Sequence, residues 1–571
     1  MKNKIFRNMM VLLSCLVMGC NKEFLDITPR DSITDEAVWS SANGVKQFVT
    51  DVYNNLTGPL YNFTTLDGSW MLDNFMTDDL VRNQASWNLL NFTPSNTPID
   101  SWTSCYTKIR KTNLGIEKIM ESTVLLDEDK SRYLGDLHFL RGMFYFELFR
   151  YYGKVPLITK ALDRNTDEIF YERNTMEDVL GFIVNEFQQA ADLLPRDISD
   201  EEIGRATKGA AIGMKALAYL FGAGIVDSKY YADAASTASI LIDGELQGKY
   251  SLFQTGATPR ERYANLFLED YENNSEVMFD IQYAYPYRVT AFQTMTAPPA
   301  PGPGHDYGWG RNFPTQEIVD AYEMKDGSSF NWSNPEEAAD PYANRDERFY
   351  ASILYNDIPW KGQQLMTSSN VWSNNANAFV QNAPNGLWNT TATNATISGY
   401  YLRKHSKESV ICGYDNRGRG IGGGHNLIVL RYAEILLTYA EAKNEVSGPD
   451  PSVYAAVNAI RRRVDQPDLP AGLGQSEMRE RIRKERRIEL AFENKRYFDI
   501  VRWKIGEMVL NGAVHGMNIV YKRNNEDEIV PTYNVFKVVD KVFSAPKNYL
   551  LPIPQSAMDK NPKLMPNNEG W

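Results

Sequence analysis

The chain has 571 residues, 43% of them hydrophobic and 23% charged, with a formal net charge of −12 at pH 7. Such an acidic balance excludes a partner that must be held by a basic face, so nucleic acid is not expected. Four cysteines in this length argue against a disulfide-built scaffold.

The amino terminus, "MKNKIFRNMMVLLSCLVMGC", places Lys2, Lys4 and Arg7 ahead of an apolar run from Met9 to Met18 and ends on Gly19 and Cys20. That layout is a secretory signal, too short for a spanning helix of about 20 apolar residues. The "VMGC" ending resembles the lipobox of bacterial lipoproteins, with Val17 where leucine is favoured. Residues 1–19 are therefore read as a signal peptide, and Cys20 as the lipidated first residue of the mature chain. Two acyl chains hold a protein to a membrane surface without spanning it. No later stretch is long and apolar enough to cross a bilayer, so an anchored protein is expected. With Cys15 in the signal, Cys105 and Cys412 remain, which excludes a four-cysteine zinc site and leaves a bridge between those two open.

Length predicts about three or four domains, yet no Pro- or Ser-rich linker divides the chain, and one continuous body is expected. Helical periodicity begins near Ser41 and returns at about 100–121, 130–152, 175–194, 206–224 and 230–243. The stretch "LRGMFYFELFRYYGKVP" is apolar on most sides: Leu137, Leu140, Phe144, Leu148 and Tyr151 form one stripe, Phe139, Phe146 and Phe149 another. It predicts a central helix surrounded by others, ended by Gly153, with Glu147 placed to pair with Arg150. "RATKGAAIGMKALAYLFG" and the following "YYADAASTASILI" carry small residues that let helices approach closely. The pattern returns in "LIVLRYAEILLTYAEAKNE" and "SVYAAVNAIRRRV", and Ala218 to Ala234 repeats the step from Ala440 to Ala456. This is the look of a degenerate tetratricopeptide array, whose pairs must stack to bury their apolar faces. The fold class expected is mainly α, a tetratricopeptide-like superhelix, with an irregular half containing short strands. Region 20–250 is taken as the N-terminal repeat region and 251–571 as the C-terminal one. The latter divides into a loop-rich part, 251–425, and a part, 426–571, holding the last repeat pair and C-terminal helices. Trp309, Trp332, Trp360, Trp372 and Trp388 all fall in the loop-rich part, more than a core there would absorb.

Several stretches in order resemble the SusD/RagB outer-membrane nutrient-binding lipoproteins of the Bacteroidetes. They are "FLRGMFYFELFRYYGKVPLI", "GRATKGAAIGMKALAYLF", "PTQEIVDAYEMKDG", "NRDERFYASI", "LRYAEILLTYAEAKNE", "IRKERRIELAFENKRYFDIVRW" and "YLLPIPQSAMDKNPKLMPNNEGW". The resemblance implies a scaffold of four tetratricopeptide-like pairs with an irregular half laid across it. It implies capture of glycans at the cell surface and delivery to a SusC-like TonB-dependent transporter, with peptide capture as the RagB-like alternative and no cofactor. Within "IRKERRIELAFENKRYFDIVRW", Glu485, Glu489 and Glu493 beside Arg486, Arg487 and Arg496 read as a ladder of helix-surface pairs.

Other chemistry finds little footing. "GRGIGG", Gly418 to Gly423, fits a dinucleotide fingerprint and precedes a helix read as starting near Asn426, but another helix follows where a Rossmann unit needs a strand. The five histidines are scattered without metal-ligand spacing, and no GxSxG elbow occurs. A glycoside hydrolase needs two suitably spaced carboxylates and is the enzymatic alternative; a repeat adaptor contacting protein alone is a third.

A glycan would stack on aromatic faces while Asp, Asn and Arg bond its hydroxyls. "NFMTDDLVRNQASWNLLNF" has that mix in Asp78, Asp79, Arg82, Asn83 and Trp87, in an inter-helix region that contributes ligand contacts in the resembled family. Tyr285, Tyr287, Trp309 and Trp372 are the later candidates, whereas Trp102 reads as scaffold.

Overall fold

The computed structural model describes residues 35–56, 75–82, 90, 92–97, 99, 101–163, 165–299, 308–381, 395–414, 420–421 and 423–571. The signal and Cys20 lie outside them. Among the described residues the chain is mostly helical, with small separate two-stranded sheets and no barrel. Among the described residues no helix is long and apolar enough to cross a membrane.

Helix α1 (Ala42–Asn54) is capped by Ser41, whose hydroxyl accepts from the Gly44 amide. A short strand, β1 (Leu80–Arg82), precedes α2 (Trp102–Glu121) and α3 (Asp127–Tyr152). Helix α3 is the aromatic one. Asp127, Glu128 and Asp129 occupy its first turn and Arg150 its last, each favourable to the helix dipole. Nearly every side chain from Tyr133 to Tyr152 is buried, as expected of a helix apolar on most sides. Its few charges are matched inside: Arg141 clasps Glu186 through Nε and Nη2 at 2.7 and 2.8 Å, Asp136 accepts from Tyr53 and Arg205 at 2.6 and 2.7 Å, and Glu147 pairs with Arg150. Gly153, at φ +67°, ends the helix; a Cβ there would stand 2.8 Å from Met176.

Helices α4 (Met176–Leu193), α5 (Lys208–Ile225) and α6 (Tyr230–Ile242) continue the stack, each packed on its predecessor. A Thr175–Asp178 capping box starts α4, and Thr207 caps α5. After the loop-rich half the chain returns as α7 (Tyr432–Ser447), which packs on α6, and α8 (Pro451–Arg463), started by Asp450 and Pro451. Ala218, Ala234, Ala440 and Ala456 are all buried at these contacts. Helices α9 (Gln475–Glu489) and α10 (Arg496–Trp503) close the array.

In the loop-rich half, β2 (Val277–Ile281) pairs antiparallel with β3 (Leu427–Arg431), and β1 pairs with the strand Asn312–Pro314. The helix read from near Asn426 is corrected: the apolar, branched run Leu427–Arg431 is a buried strand, and helix begins at Tyr432. The glycines before it contribute to a small ladder of Gly413–Tyr414 with Gly420–Ile421. The C-terminal part is also less helical than expected, since Gly512–Arg523 and Ile529–Lys541 form one long hairpin. Cys105 and Cys412 are both buried and form no disulfide.

The ladder of Glu485, Glu489 and Glu493 is corrected too. All three are buried, and their partners come from other elements. Arg431 reaches Glu276, Glu489 and Glu493 at 2.7, 2.6 and 2.6 Å; Arg463 reaches Glu276 at 2.9 Å and also Glu489; Arg348 holds Glu489 at 3.0 Å. Burial alone would raise the Glu493 carboxyl, but Arg431 and Lys404 pull it down to about 2. Helix periodicity could not show this, because the matching cations lie far off in sequence.

Candidate functional site

Strand β2 runs into a tight loop. Ala284 donates its amide to the Arg288 carbonyl at 2.9 Å, and Arg288 donates back to Ala284 at 2.8 Å. Between them Tyr285 and Tyr287 stand 65% and 93% exposed. The loop's base is fixed from β3's side. Asn426 accepts the Tyr283 amide at 2.7 Å, donates Nδ2 to Asp280 at 2.9 Å and donates its own amide to Glu272. Gly424 donates to Glu269 at 2.8 Å, and a Cβ on it would stand 2.7 Å from the Tyr285 nitrogen. Burial pushes the Asp280 carboxyl up to about 6 against the pull of Gln282 and Asn426, and pushes Glu272 up to about 8. The Arg288 guanidinium covers the Tyr283 ring at 4.9 Å. Two phenol rings thus project from a base held by several hydrogen bonds.

Just downstream, backbone bonds to the helical turn Phe292–Thr296 and to Ala297 pin the Trp309 segment. The Trp309 amide donates to Thr294 at 2.7 Å, Gly310 to Ala297 at 2.9 Å and Arg311 to Met295 at 2.9 Å. Trp309 is partly buried, with the Arg311 guanidinium 4.3 Å from its ring centroid. Pairing of β1 with Asn312–Pro314 sets Arg82 opposite Asn312. Asn83 and Trp87 come soon after Arg82 in the chain and lie outside the described residues.

Asp78, Asp79 and Arg82 are placed inside the protein. Arg496 grips both oxygens of Asp78 at 2.9 Å, and Arg487 reaches Asp79 at 2.7 Å and Asp78 at 2.9 Å. Burial raises Asp78, but Arg487 and Arg496 outweigh it and hold the carboxyl well below the usual range. Lys541, lowered by burial to about 8, donates to the carbonyls of Phe75, Thr77 and Leu80. The Arg82 guanidinium lies 5.6 Å from the Phe75 ring. Asp78 and Asp79 are thus tied to α9 and α10, and all three of these residues, expected to touch a ligand, are buried.

Trp372 stands elsewhere, on a hairpin of Asn370–Ser373 with Ala378–Gln381. Its Nε1 donates to Asn374 at 3.0 Å, Phe379 meets it edge-on at 5.1 Å, and Arg523 covers it at 4.4 Å. Among the other tryptophans, Trp360 is buried and Trp332 donates to Asp320 at 3.0 Å, while Trp388 lies outside the described residues. Trp102 is buried against Tyr152, as a scaffold residue should be. Sequence reasoning missed Asn426, the tie beneath the tyrosines, and Arg311 on the Trp309 face. A single Asn just after a glycine run carries no periodic signal. Among the described residues no group of His, Cys, Asp and Glu is arranged to hold a metal ion.

A stack of helix pairs that pairs its charges internally and leaves loop tyrosines exposed defines a helical-repeat protein with aromatic rings on its surface. The chain belongs to the SusD family, whose model matches residues 272–571. A second family model, described as "Starch-binding associating with outer membrane", matches residues 23–220. The SusD-like protein P38 of Formosa agariphila is 25% identical over 550 residues, 90% of this chain and 95% of that one. A SusD-like protein from Bacteroides fragilis superposes with a TM-score of 0.76 at 30% identity, covering 95% of this chain and 100% of that one. A SusD-like carbohydrate binding protein from the same species gives 0.74 at 25% identity, covering 93% and 100%.

Proposed function

We propose that the protein is a non-catalytic lipoprotein of the outer membrane surface, anchored through Cys20, that captures glycans and delivers them to a SusC-like TonB-dependent transporter. The observation that carries the reading is the pair of solvent-facing rings, Tyr285 and Tyr287, on a loop tied at its base to β3. Flat aromatic faces on a rigid support stack on sugar C–H faces at little cost in conformational entropy. Carbohydrate is the ligand class named for the second of the two Bacteroides fragilis relatives and for the family model over residues 23–220. Trp309 extends the proposed contact surface, Asn83 and Trp87 stay candidates by their place in the sequence alone, and Trp372 would serve a separate surface.

Titration calorimetry with maltooligosaccharides and laminarin oligosaccharides tests the reading, with the bound sugar analysed afterwards for cleavage. Binding without cleavage that is lost in Tyr285→Ala/Tyr287→Ala supports it. Retention of a peptide mixture with indifference to sugars would favour the RagB-like alternative, and turnover would make the protein a hydrolase. Co-purification of a TonB-dependent channel with the membrane-anchored chain tests the partner.

A further inference from the structure

A cleft of about 670 Å³ opens between the short helix Pro259–Ala264 and residues 403–408, with Trp360 in its wall. Four of its ionisable groups, Glu261, Lys404, His405 and Lys407, are engaged by the scaffold. Glu261 accepts the amides of Ala257 and Thr258 at 2.8 and 3.1 Å in a capping box. Lys404 turns its ammonium to Tyr263, Ala491 and Glu493 at 2.7, 2.8 and 2.7 Å. Lys407 pairs with Asp270 at 2.5 Å, and the buried His405 ring meets Phe267 and Phe292 edge-on. Arg260, Arg403 and Glu347 remain, with Glu408, one of whose oxygens accepts the Lys361 amide at 3.0 Å.

The two guanidiniums converge on Tyr350. That of Arg260 lies 4.6 Å from its ring centroid, and Arg403 donates to its carbonyl at 3.4 Å. Burial lowers the pKa of Arg403, Glu408 raises it, and the charge of Arg260 lowers it again, so the two cations feel each other. Among the described residues each has one carboxylate partner and holds it loosely: Arg260 meets Glu347 at 3.2 Å, and Arg403 meets Glu408 at 3.6 Å. Open pairs of that kind contribute little and exchange readily for a better acceptor. A guanidinium offers five donors in a planar fork, so these contacts use only a minority of the donors present. A neutral sugar could donate to Glu347 and Glu408 but would offer no anionic acceptor to the remaining guanidinium donors. A bare anion would face Glu347 and Glu408 with nothing to donate to them.

We propose that this cleft is a binding site for a sugar acid, its carboxylate held between Arg260 and Arg403 and its hydroxyls donating to Glu347 and Glu408. The proposal does not rest on the function proposed for the tyrosine loop.

Calorimetric titration of the full-length protein with sodium glucuronate, glucose and sodium sulfate in turn tests the proposal. Glucuronate binds, more weakly as salt is added, and glucose and sulfate bind at least about tenfold less tightly, because each forgoes one set of charge-assisted bonds. Arg260→Gln and Arg403→Gln each weaken glucuronate about tenfold. Tyr285→Ala/Tyr287→Ala leaves glucuronate affinity unchanged even if it abolishes glycan capture. Arg260 is 42% exposed in its side chain, so its variant keeps the fold should the more buried Arg403 variant lose it. Glucose or sulfate binding as tightly as glucuronate, no binding of any of the three, unaltered affinity in Arg260→Gln, or loss of glucuronate in the double tyrosine variant would each overturn it.

Discussion

Tyr287 and Glu272 lie on either side of one hydrogen-bonded base and carry opposite kinds of prediction. Tyr287 faces solvent and supports nothing in the fold, so Tyr287→Ala weakens glycan binding by about 1–3 kcal/mol, the range for a stacking aromatic anchor, and leaves the melting temperature unchanged. Calorimetry and a thermal melt on one preparation separate the two effects; a lowered melting temperature would make the ring structural. Glu272 answers to pH instead. Its carboxyl is raised from 4.5 to about 8, chiefly by burial, so the folded chain binds a proton there that the unfolded chain releases. Stability from this group is complete below about pH 4.5 and is lost as pH rises toward 8. Glu272→Gln keeps an oxygen for the Asn426 amide and removes the titration, so its melting temperature falls less between pH 5 and 8 than that of the unsubstituted protein. Parallel curves for the two proteins would refute the assignment.

At the scale of elements, close packing of helices was legible in the sequence and the pairing of charges was not. Alternating small and large residues in Lys208–Ile225 foretold helices in near contact, and Gly224 shows how near: a Cβ there would stand 2.4 Å from the Arg502 carbonyl oxygen of α10. That neighbour is backbone within a helix and cannot swing aside. Gly224→Ala therefore destabilises by about 1–3 kcal/mol through overpacking, even though alanine favours a helix over glycine by about 1 kcal/mol. Urea unfolding monitored by circular dichroism checks the sign, and a more stable variant would show that α10 can retreat. Repeat periodicity is a local property, which is why α2 to α6 could be placed from sequence. Partners such as Arg431 for Glu489, or Arg496 for Asp78, are set by tertiary approach of distant segments. Acid-rich stretches with that fate look the same in sequence as solvated ones, so the Asp78–Asp79 pair read as a ligand loop. The tyrosine loop was legible because exposed aromatics in a polar, turn-rich stretch have few structural uses. The Arg260–Arg403 cleft was not, since its walls come from unrelated stretches without a shared motif.

Across the whole molecule, the last residues of the chain are joined to the first half. Asn568 donates Nδ2 to the carbonyls of Tyr152 and Leu551 at 3.0 and 2.8 Å, and accepts from Arg173 at 2.8 Å. Leu551 donates its amide to Tyr151 at 2.8 Å, and Trp571 bonds Lys547 and Leu550 at 2.9 Å each. The end of α3, which the rest of the array surrounds, is thus completed by the carboxyl-terminal segment. The last carbonyls of a helix have no acceptor role within it, and here distant donors from that segment fill the role for Tyr151 and Tyr152. Asn568→Ala removes one donor from two buried acceptors and costs about 1–3 kcal/mol. Because the loss falls on a joint between the chain's ends, tryptophan fluorescence and far-ultraviolet dichroism shift together to lower denaturant, as one cooperative unit requires. If the fluorescence of Trp571 changes at a lower denaturant concentration than the helical signal, the carboxyl-terminal segment peels away first, and the scaffold stands without it.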